Sequence, residues 1–169
     1  VLTLAFDALK GYVPVWLALY FAPRYGFHET TIGLVGLAAF AGHLWPVFFR
    51  FQGGKGVATA AGVLLALNPW LGVATLATWL IIVFFFRYSS LAALVAAVFA
   101  PFYQMLIWNG GPLMPAILVM SLLLVWRHRA NIGKLLAGTE SKMGRKAAPI
   151  QATPAQAHGH KGAHGGHHK

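Results

Sequence analysis

The amino-acid sequence predicts an all-α protein, a polytopic transmembrane helical bundle with about six spans. Of its 169 residues, 58% are hydrophobic and only 9% are charged, whereas about 25% of the residues in a soluble domain are charged. The apolar residues form stretches that approach the ~20 residues a helix needs to cross a bilayer. Because the chain has no cysteine, disulfides, iron–sulfur clusters and thiol nucleophiles are excluded.

Six apolar segments follow one another along the chain, separated by short polar turns. The first carries Asp7 and Lys10, which are three positions apart and can pair on one helix face. Thr30 or Thr31 is expected to cap the second segment. The third is short, so it either crosses where the protein is thin or forms part of a broken helix that lines a cavity. The expected spans are residues 2–22, 32–49, 57–67, 70–86, 91–108 and 113–126.

The basic residues fix the expected orientation of the bundle. Lys and Arg number 13 against three Asp and Glu, which gives a formal charge of +10. If the segments alternate across the membrane, six bases fall on one side and Arg24 alone falls on the other. The positive-inside rule makes the richer side cytoplasmic, and the charge indicates contact with anionic lipid, not nucleic acid. The six bases are Lys10, Arg50, Lys55, Arg87, Arg127 and Arg129.

A glycine-rich loop between the second and third segments reads Gly53-Gly54-Lys55-Gly56. A loop that leads into a helix through glycines exposes unpaired backbone N–H groups at the positive end of the helix dipole. We therefore expect an anion site there, best suited to a phosphate, with Lys55 supplying a full charge. The alternative is an interfacial turn with a snorkelling lysine. The loop is not a Walker A motif, because Phe49 and Gly56 occupy the positions of its first glycine and its Ser/Thr.

Polar groups also follow the sixth segment. His128 and Asn131 are three positions apart, so a continuing helix would place both on one face, suited to hydrogen-bonding a polyhydroxylated ligand. The alternative is a basic segment that binds anionic lipid. After Glu140 the composition becomes polar and rich in histidine. Residues 141–169 are therefore expected to form a disordered cytoplasmic tail behind a membrane domain of residues 1–140.

The usual catalytic groups are poorly represented. No serine lies in a G-x-S-x-G context, no His is followed by Asp at the H-x-x-x-x-D spacing, and no Asp is expected beside a His to orient it. The membrane segments also lack the several His, Asp and Glu that a metal site needs. What remains is a set of cations and hydrogen-bond donors around an anion site. Such a set suits chemistry in which a reactive phosphate-bearing substrate is held and oriented.

Several motifs together resemble those of the bacterial acyl-phosphate:glycerol-3-phosphate acyltransferases of the PlsY type. The resemblance extends from Leu2 to Glu140, and its most specific part is the combination of the Gly/Lys loop with the His/Asn segment. The matching residues are Asp7, Lys10 and Gly11; Gly42, His43, Pro46 and Phe51; residues 53–59; residues 87–91; residues 127–132; and Gly138 and Glu140.

The resemblance implies a multi-pass enzyme of the bacterial inner membrane, with its active site and C-terminus in the cytoplasm. Such an enzyme transfers a fatty acyl group from acyl phosphate to the first (sn-1) hydroxyl of glycerol 3-phosphate. The product is lysophosphatidic acid, and the reaction is the first acylation of phospholipid biosynthesis. No cofactor or metal is implied. The expected partners are the two substrates, the bilayer and the enzyme that forms the acyl phosphate.

The resemblance also implies roles for individual residues. The glycine loop would bind glycerol 3-phosphate, while Ser90, His128 and Asn131 would hold the acceptor and position its attacking hydroxyl. Glu140 would be a structural acid that pairs with a base in the cytoplasmic loop. The other implied positions are Gly53, Gly54, Lys55, Gly56, His43 and Arg129 for substrate binding, and Asp7 and Lys10 for structure.

The sequence departs from the family in one respect and leaves two other functions open. The family has a further motif, with a serine, an arginine and an asparagine-rich glycine loop, that has no match here. The chain is therefore expected to be a piece of a longer protein with about seven spans. A small membrane transporter for an anionic solute is one alternative, because the short segment at residues 57–67 resembles a discontinuous helix. A non-catalytic protein that binds lipid through its basic surface is the other.

Overall fold

The computed structural model describes residues 2–46 and 53–144, and these residues form seven helices and no β-strand. The helices are α1 (Leu2–Tyr25), α2 (Glu29–Leu44), α3 (Val57–Leu67), α4 (Pro69–Phe86), α5 (Ser89–Trp108), α6 (Met114–Arg127) and α7 (Arg129–Leu136). The predicted all-α class is confirmed, and the six expected spans correspond to α1 through α6. Helices α1, α4 and α5 are long and apolar enough to cross a membrane, while α3 and α6 are shorter apolar helices.

Local chemistry keeps α3 short. The Asn68 side chain accepts hydrogen bonds from the backbone N–H groups of Trp70 (2.9 Å) and Leu71 (3.3 Å), which caps α4 directly after α3 ends. Helix α3 therefore has only 11 residues. Its length is about 16 Å, well below the ~30 Å of a hydrocarbon core. This helix lines the interior of the bundle and does not span a bilayer by itself.

The bounds of α2 differ from the sequence-based expectation at both ends. The helix begins at Glu29, so Thr30 and Thr31 lie inside its first turn and neither caps it. It ends at Leu44, because Pro46 restricts the residue before it and has no N–H to continue the helix. Trp45 and Pro46 follow the helix, and residues 47–49 of the expected span lie outside the described residues.

Glycines allow α3 to lie very close to α1. A Cβ atom built on Gly62 would overlap the carbonyl oxygen of Ala8, and one built on Gly11 would overlap the carbonyl oxygen of Thr59. Helix α3 also packs on α2 and α4, so it forms the centre of the bundle. Close backbone approach through small residues is the usual way in which helices associate inside a membrane.

The outward faces of the long helices carry large apolar side chains. Leu2 of α1 is 74% exposed, and Trp70 and Phe84 of α4 are 77% and 78% exposed. In water such a surface would be unfavourable, whereas lipid tails solvate it at no cost. This exposure is consistent with a bundle that is surrounded by lipid.

Replacing Gly62 with alanine should destabilise the bundle, because the added methyl group has no room beside the Ala8 carbonyl. The expected loss is roughly 1–3 kcal/mol, measured by thermal unfolding in detergent micelles. Gly42→Ala is the matched control, since its added Cβ has no heavy atom within 4 Å. Equal unfolding temperatures for the two variants would contradict the close contact between α1 and α3.

Candidate active site

The glycine loop, residues 53–56, packs tightly against the end of α2. Gly56 has φ 80°, a left-handed conformation, and a Cβ there would lie 2.5 Å from Cε2 of Phe40. A Cβ on Gly54 would lie 2.5 Å from Nε2 of His43. A side chain at either position would collide with α2, so the backbone itself forms the surface of this loop.

Arg127, the last residue of α6, holds the glycine loop from one side. Its Nη2 atom donates hydrogen bonds to the carbonyl oxygens of Gly53 (2.8 Å) and Gly54 (3.0 Å). A trans peptide points its C=O and N–H groups in opposite directions, and the described chain has no cis peptide. The N–H groups of Gly54 and Lys55 therefore point away from Arg127. Together with the free N–H groups in the first turn of α3, they supply hydrogen-bond donors that suit an anion.

A polar cleft with a volume of about 490 Å³ opens beside the glycine loop. Residues from four separate parts of the chain meet in it, because the loop, the start of α5, the α6–α7 junction and the segment after α7 lie at one end of the bundle. The predicted site residues that line this cleft are Lys55, Ser90, His128, Asn131 and Glu140. Its other lining residues are Val57, Ser89, Lys134, Thr139, Ser141, Lys142 and Met143.

Glu140 organises the hydrogen bonds of the cleft. Its Oε1 atom accepts hydrogen bonds from Ser90 Oγ (2.5 Å) and Asn131 Nδ2 (2.8 Å), so its partners are two neutral groups and not the expected base. Burial by itself would raise the pKa of Glu140, but these hydrogen bonds and the nearby Lys55 and Lys134 lower it below the ordinary 4.5. Since Ser90 gives its hydrogen to Glu140, the lone pairs of its oxygen can accept one from a ligand hydroxyl.

His128 is buried at a break between α6 and α7, so α6 does not continue to Asn131 as expected. Its Nδ1 donates a hydrogen bond to the Leu124 carbonyl oxygen, 2.8 Å away. Because a carbonyl can only accept, the neutral ring carries its proton on Nδ1 and presents Nε2 as an acceptor. Burial lowers the pKa of His128 below 6.5; the bond to Leu124 opposes this effect, and the Lys55 ammonium adds to it. The ring is therefore neutral near pH 7.

A second polar cluster lies behind the glycine loop and contains Asp7, Lys10 and His43. The predicted pair of Asp7 and Lys10 is confirmed, with 3.1 Å between Oδ1 and Nζ. The same Asp7 oxygen is 3.6 Å from His43 Nδ1, so the expectation that no Asp lies beside a His was wrong. The packing of α1 on α2 brings these distant residues together. His43 turns Nε2 toward Gly54 and does not line the cleft.

The two arginines of the α6–α7 junction have different surroundings. The guanidinium of Arg129 lies 4.6 Å from the centre of the Trp126 ring, a cation–π contact, and outside the cleft lining. Arg127 instead reaches the glycine loop. The sequence did not separate them, because two residues of the same type that lie two apart differ only in the helix face on which they fall.

Residues 139–144 form a strap across the cleft. Met143 donates its N–H to the carbonyl oxygen of Arg87 (2.8 Å), and Arg87 Nη2 donates to the carbonyl oxygen of Met143 (3.0 Å). The strap brings Lys142 into the cleft lining. The first residues of the predicted tail thus pack on the membrane domain, whereas residues 145–169 lie outside the described part.

An apolar cavity of about 140 Å³ is lined by residues of α1, α3, α4, α5 and α6. Val57 lines both this cavity and the polar cleft, so the two spaces are neighbours. The cavity was not predicted from the sequence, although one signal was visible: four alanines of α5 recur at the spacing of one helix face. These alanines are Ala93, Ala96, Ala97 and Ala100.

The described part of the chain offers no obvious place for a metal ion. Throughout residues 2–46 and 53–144, no three His, Asp or Glu side chains are grouped as ligands. The cleft instead offers three lysine ammonium groups, from Lys55, Lys134 and Lys142. These cations are suited to bind phosphate groups directly.

Comparison with known proteins links this architecture to one family. The family model described as glycerol-3-phosphate acyltransferase matches residues 1–138. The glycerol-3-phosphate acyltransferase of Ralstonia nicotianae (strain ATCC BAA-1114 / GMI1000) is 67% identical over 149 residues, which are 88% of this chain and 72% of that protein. The enzyme of Janthinobacterium sp. (strain Marseille) is 62% identical over 146 residues, 86% of this chain and 73% of that protein.

Two solved structures share the fold. Both are crystal structures of PlsY (YgiH), an integral membrane glycerol 3-phosphate acyltransferase, one in the lysphosphatidic acid form and the other in the glycerol 3-phosphate form. Each is 36% identical to this chain with a TM-score of 0.78. The match covers 85% of this chain and 71% and 70% of the two solved chains.

The His128 ring should titrate at a pH below 6.5, because burial and Lys55 disfavour its charged form. As the pH falls through 6.5 an ordinary histidine gains a proton, whereas His128 should stay neutral until the pH is lower. The measurement is an NMR titration of histidine-labelled protein in micelles, with the His128→Gln variant to assign the signal. A pKa at or above 6.5 would contradict the buried, neutral ring.

Proposed function

The chain belongs to the glycerol-3-phosphate acyltransferase family, and we propose that it transfers a fatty acyl group from acyl phosphate to the sn-1 hydroxyl of glycerol 3-phosphate. It is an integral membrane acyltransferase, so the transporter and lipid-binding alternatives are set aside. The observation that carries the proposal is that the polar cleft and the apolar cavity lie side by side and share Val57 as a lining residue. A reaction between a water-soluble acceptor and a lipid donor needs a polar space next to an apolar one.

The polar cleft suits glycerol 3-phosphate. The acceptor phosphate would bind to the N–H groups of the glycine loop and to the Lys55 ammonium, since charge-assisted hydrogen bonds hold phosphate strongly. The hydroxyls of the acceptor would then face hydrogen-bond acceptors, namely His128 Nε2, Ser90 Oγ and the free Oδ1 of Asn131. In this proposal Ser90 and Asn131 are themselves oriented by Glu140.

The apolar cavity suits the acyl chain of the donor. Its alanine stripe on α5 runs from Ala93 to Ala100, a rise of about 10 Å. Most of the side chains that line the cavity are apolar, so the cavity suits a hydrocarbon chain and not a polar group. The phosphate of the donor would lie at the mouth of the cavity, where Lys134 and Lys142 line the cleft.

The proposed reaction needs positioning more than a strong base. The sn-1 oxygen forms a bond to the carbonyl carbon of the acyl phosphate, the bond from that carbon to the phosphate oxygen breaks, and inorganic phosphate leaves. The proton of the hydroxyl passes to a phosphate oxygen of a substrate. His128 orients the hydroxyl by accepting its hydrogen bond, while the lysines stabilise the charge that develops.

The lowered pKa of His128 supports a role in orienting the hydroxyl and not in removing its proton. A ring that resists protonation is a poor general base but a steady hydrogen-bond acceptor. The orienting partner of His128 is the neutral carbonyl of Leu124, which does not stabilise an imidazolium as a carboxylate would. Acyl phosphate is a mixed anhydride with a good leaving group, so the reaction does not require a stronger base.

The proposal extends to the place of the reaction. The basic residues at the cleft end of the bundle support a cytoplasmic orientation in a bacterial inner membrane. Acyl phosphate is reactive and would reach the cleft from the enzyme that forms it, so an association between the two enzymes is part of the proposal. The product, lysophosphatidic acid, would leave through the apolar cavity into the bilayer.

The donor can be tested directly by incorporation of labelled glycerol 3-phosphate into lysolipid. We expect product with acyl phosphate and little or none with acyl coenzyme A, because the donor end of the cleft offers lysines for a single phosphate. Equal rates with the two donors would contradict the acyl-phosphate assignment. Absence of transfer from either donor would contradict acyltransferase activity in this chain.

Filling the apolar cavity should shorten the preferred acyl chain. Ala97 is buried and lines the cavity, so we expect Ala97→Phe to lower kcat/KM for palmitoyl phosphate about tenfold or more, with a much smaller effect on octanoyl phosphate. Val98→Phe is the matched control, because Val98 is the next residue of α5 and is 62% exposed. Equal losses with both donors would show that the cavity does not hold the chain.

A further inference from the structure

We propose that Arg127 is a positioning residue that orients the glycine loop and keeps it at a fixed distance from His128. The inference rests on the proposed function, because it assigns the glycine loop to phosphate binding. Arg127 itself would not touch the substrate. It donates two hydrogen bonds from one nitrogen to successive loop carbonyls, at 2.8 Å from Gly53 and 3.0 Å from Gly54.

Arg127 determines the direction of two loop peptides. The glycines of the loop give its backbone many accessible conformations, and only some of them direct consecutive N–H groups to one side. Arg127 binds the two carbonyl oxygens, and each trans peptide then sends its N–H to the opposite side. The N–H groups of Gly54 and Lys55 are thereby fixed as a pair before any ligand arrives. Such preorganisation improves affinity because the ordering cost is not incurred on binding.

Arg127 also sets the distance between the glycine loop and the His128 ring. Arg127 is the last residue of α6 and His128 directly follows it. The side chain of one residue therefore holds the loop, while the next residue presents Nε2 to the cleft. A ligand whose phosphate binds at the loop and whose hydroxyl meets His128 needs this spacing to be constant.

The fold of the bundle does not depend on Arg127. Trp126 packs against Trp45 with ring centres 6.0 Å apart, so the ends of α6 and α2 remain in contact without Arg127. The closest packing of the bundle lies elsewhere, between α1 and α3. Removing the guanidinium should therefore release the loop without unfolding the protein.

The test measures binding of glycerol 3-phosphate to the full chain in detergent micelles by calorimetry, for the wild-type protein and for Arg127→Ala. We expect the dissociation constant to rise roughly ten- to a hundredfold, the range for hydrogen bonds that involve a charged group. Millimolar guanidinium chloride should restore most of the lost affinity in Arg127→Ala by occupying the vacated position. Sodium chloride and urea at equal concentrations serve as controls for ionic strength and for denaturation.

Two further variants make the outcome decisive. Arg127→Lys retains the positive charge, so we expect an intermediate loss of affinity. Guanidinium should not restore this loss, because the lysine side chain occupies the space that guanidinium would fill. Arg24→Ala removes an arginine of α1 whose guanidinium lies over the Tyr25 ring. Arg24 does not line the cleft, so this variant should bind glycerol 3-phosphate like the wild type. If Arg127→Ala binds as tightly as wild type, or if guanidinium fails to restore binding, the positioning role is wrong. If the wild-type protein itself does not bind glycerol 3-phosphate, the proposed function fails instead.

Discussion

The hydrogen bonds from Arg127 to the carbonyls of Gly53 and Gly54 connect parts of the molecule that are far apart in sequence. The glycines of the loop before α3 have wide conformational freedom, and this contact helps to fix the orientation of two of its peptides. With it, the loop is held between the end of α2 and the end of α6. Lys55 and Val57, at the start of α3, line the same cleft as Ser90, His128 and Asn131. The polar end of the bundle depends on this arrangement.

The short helix α3 lies next to both a polar and an apolar space. A membrane enzyme that joins a water-soluble molecule to a lipid needs polar groups beside an apolar space, and unpaired polar groups are costly in lipid. Helix α3 begins at the polar loop and lines the apolar cavity over its length, and Val57 in its first turn borders both spaces. The glycine contacts with α1 allow such a short helix to be fixed firmly in the interior. Its length is therefore a functional feature of the fold.

Local patterns in the sequence predicted much of this arrangement. Apolar stretches gave the six helices, and the spacing of Asp7 and Lys10 gave their pairing, because both depend on residues close together in the chain. Contacts between distant segments were less accessible. The carboxylate of Asp7 beside His43 depends on how α1 packs against α2, and no short motif encodes that distance. The neutral partners of Glu140 depend in the same way on the strap that folds back over α5.

The break at His128 shows why a correct motif can still give the wrong local structure. The three-residue spacing predicted that His128 and Asn131 share one helix face. His128 instead lies between two helices with its ring buried. Both side chains line the cleft, as the motif required, but by a turn and not by helical periodicity. The apolar cavity was missed for a related reason: alanines at helical spacing indicate close packing or an open space equally well.

The central claim is that one cleft binds the acceptor phosphate at the glycine loop and the acceptor hydroxyl at His128. The most direct measurement is an experimental structure of this chain with glycerol 3-phosphate bound. The account predicts a phosphate within hydrogen-bond distance of the N–H groups of Gly54 and Lys55, and a glycerol hydroxyl that donates to His128 Nε2. A phosphate bound at Lys134 and Lys142, with the glycine loop unoccupied, would contradict it.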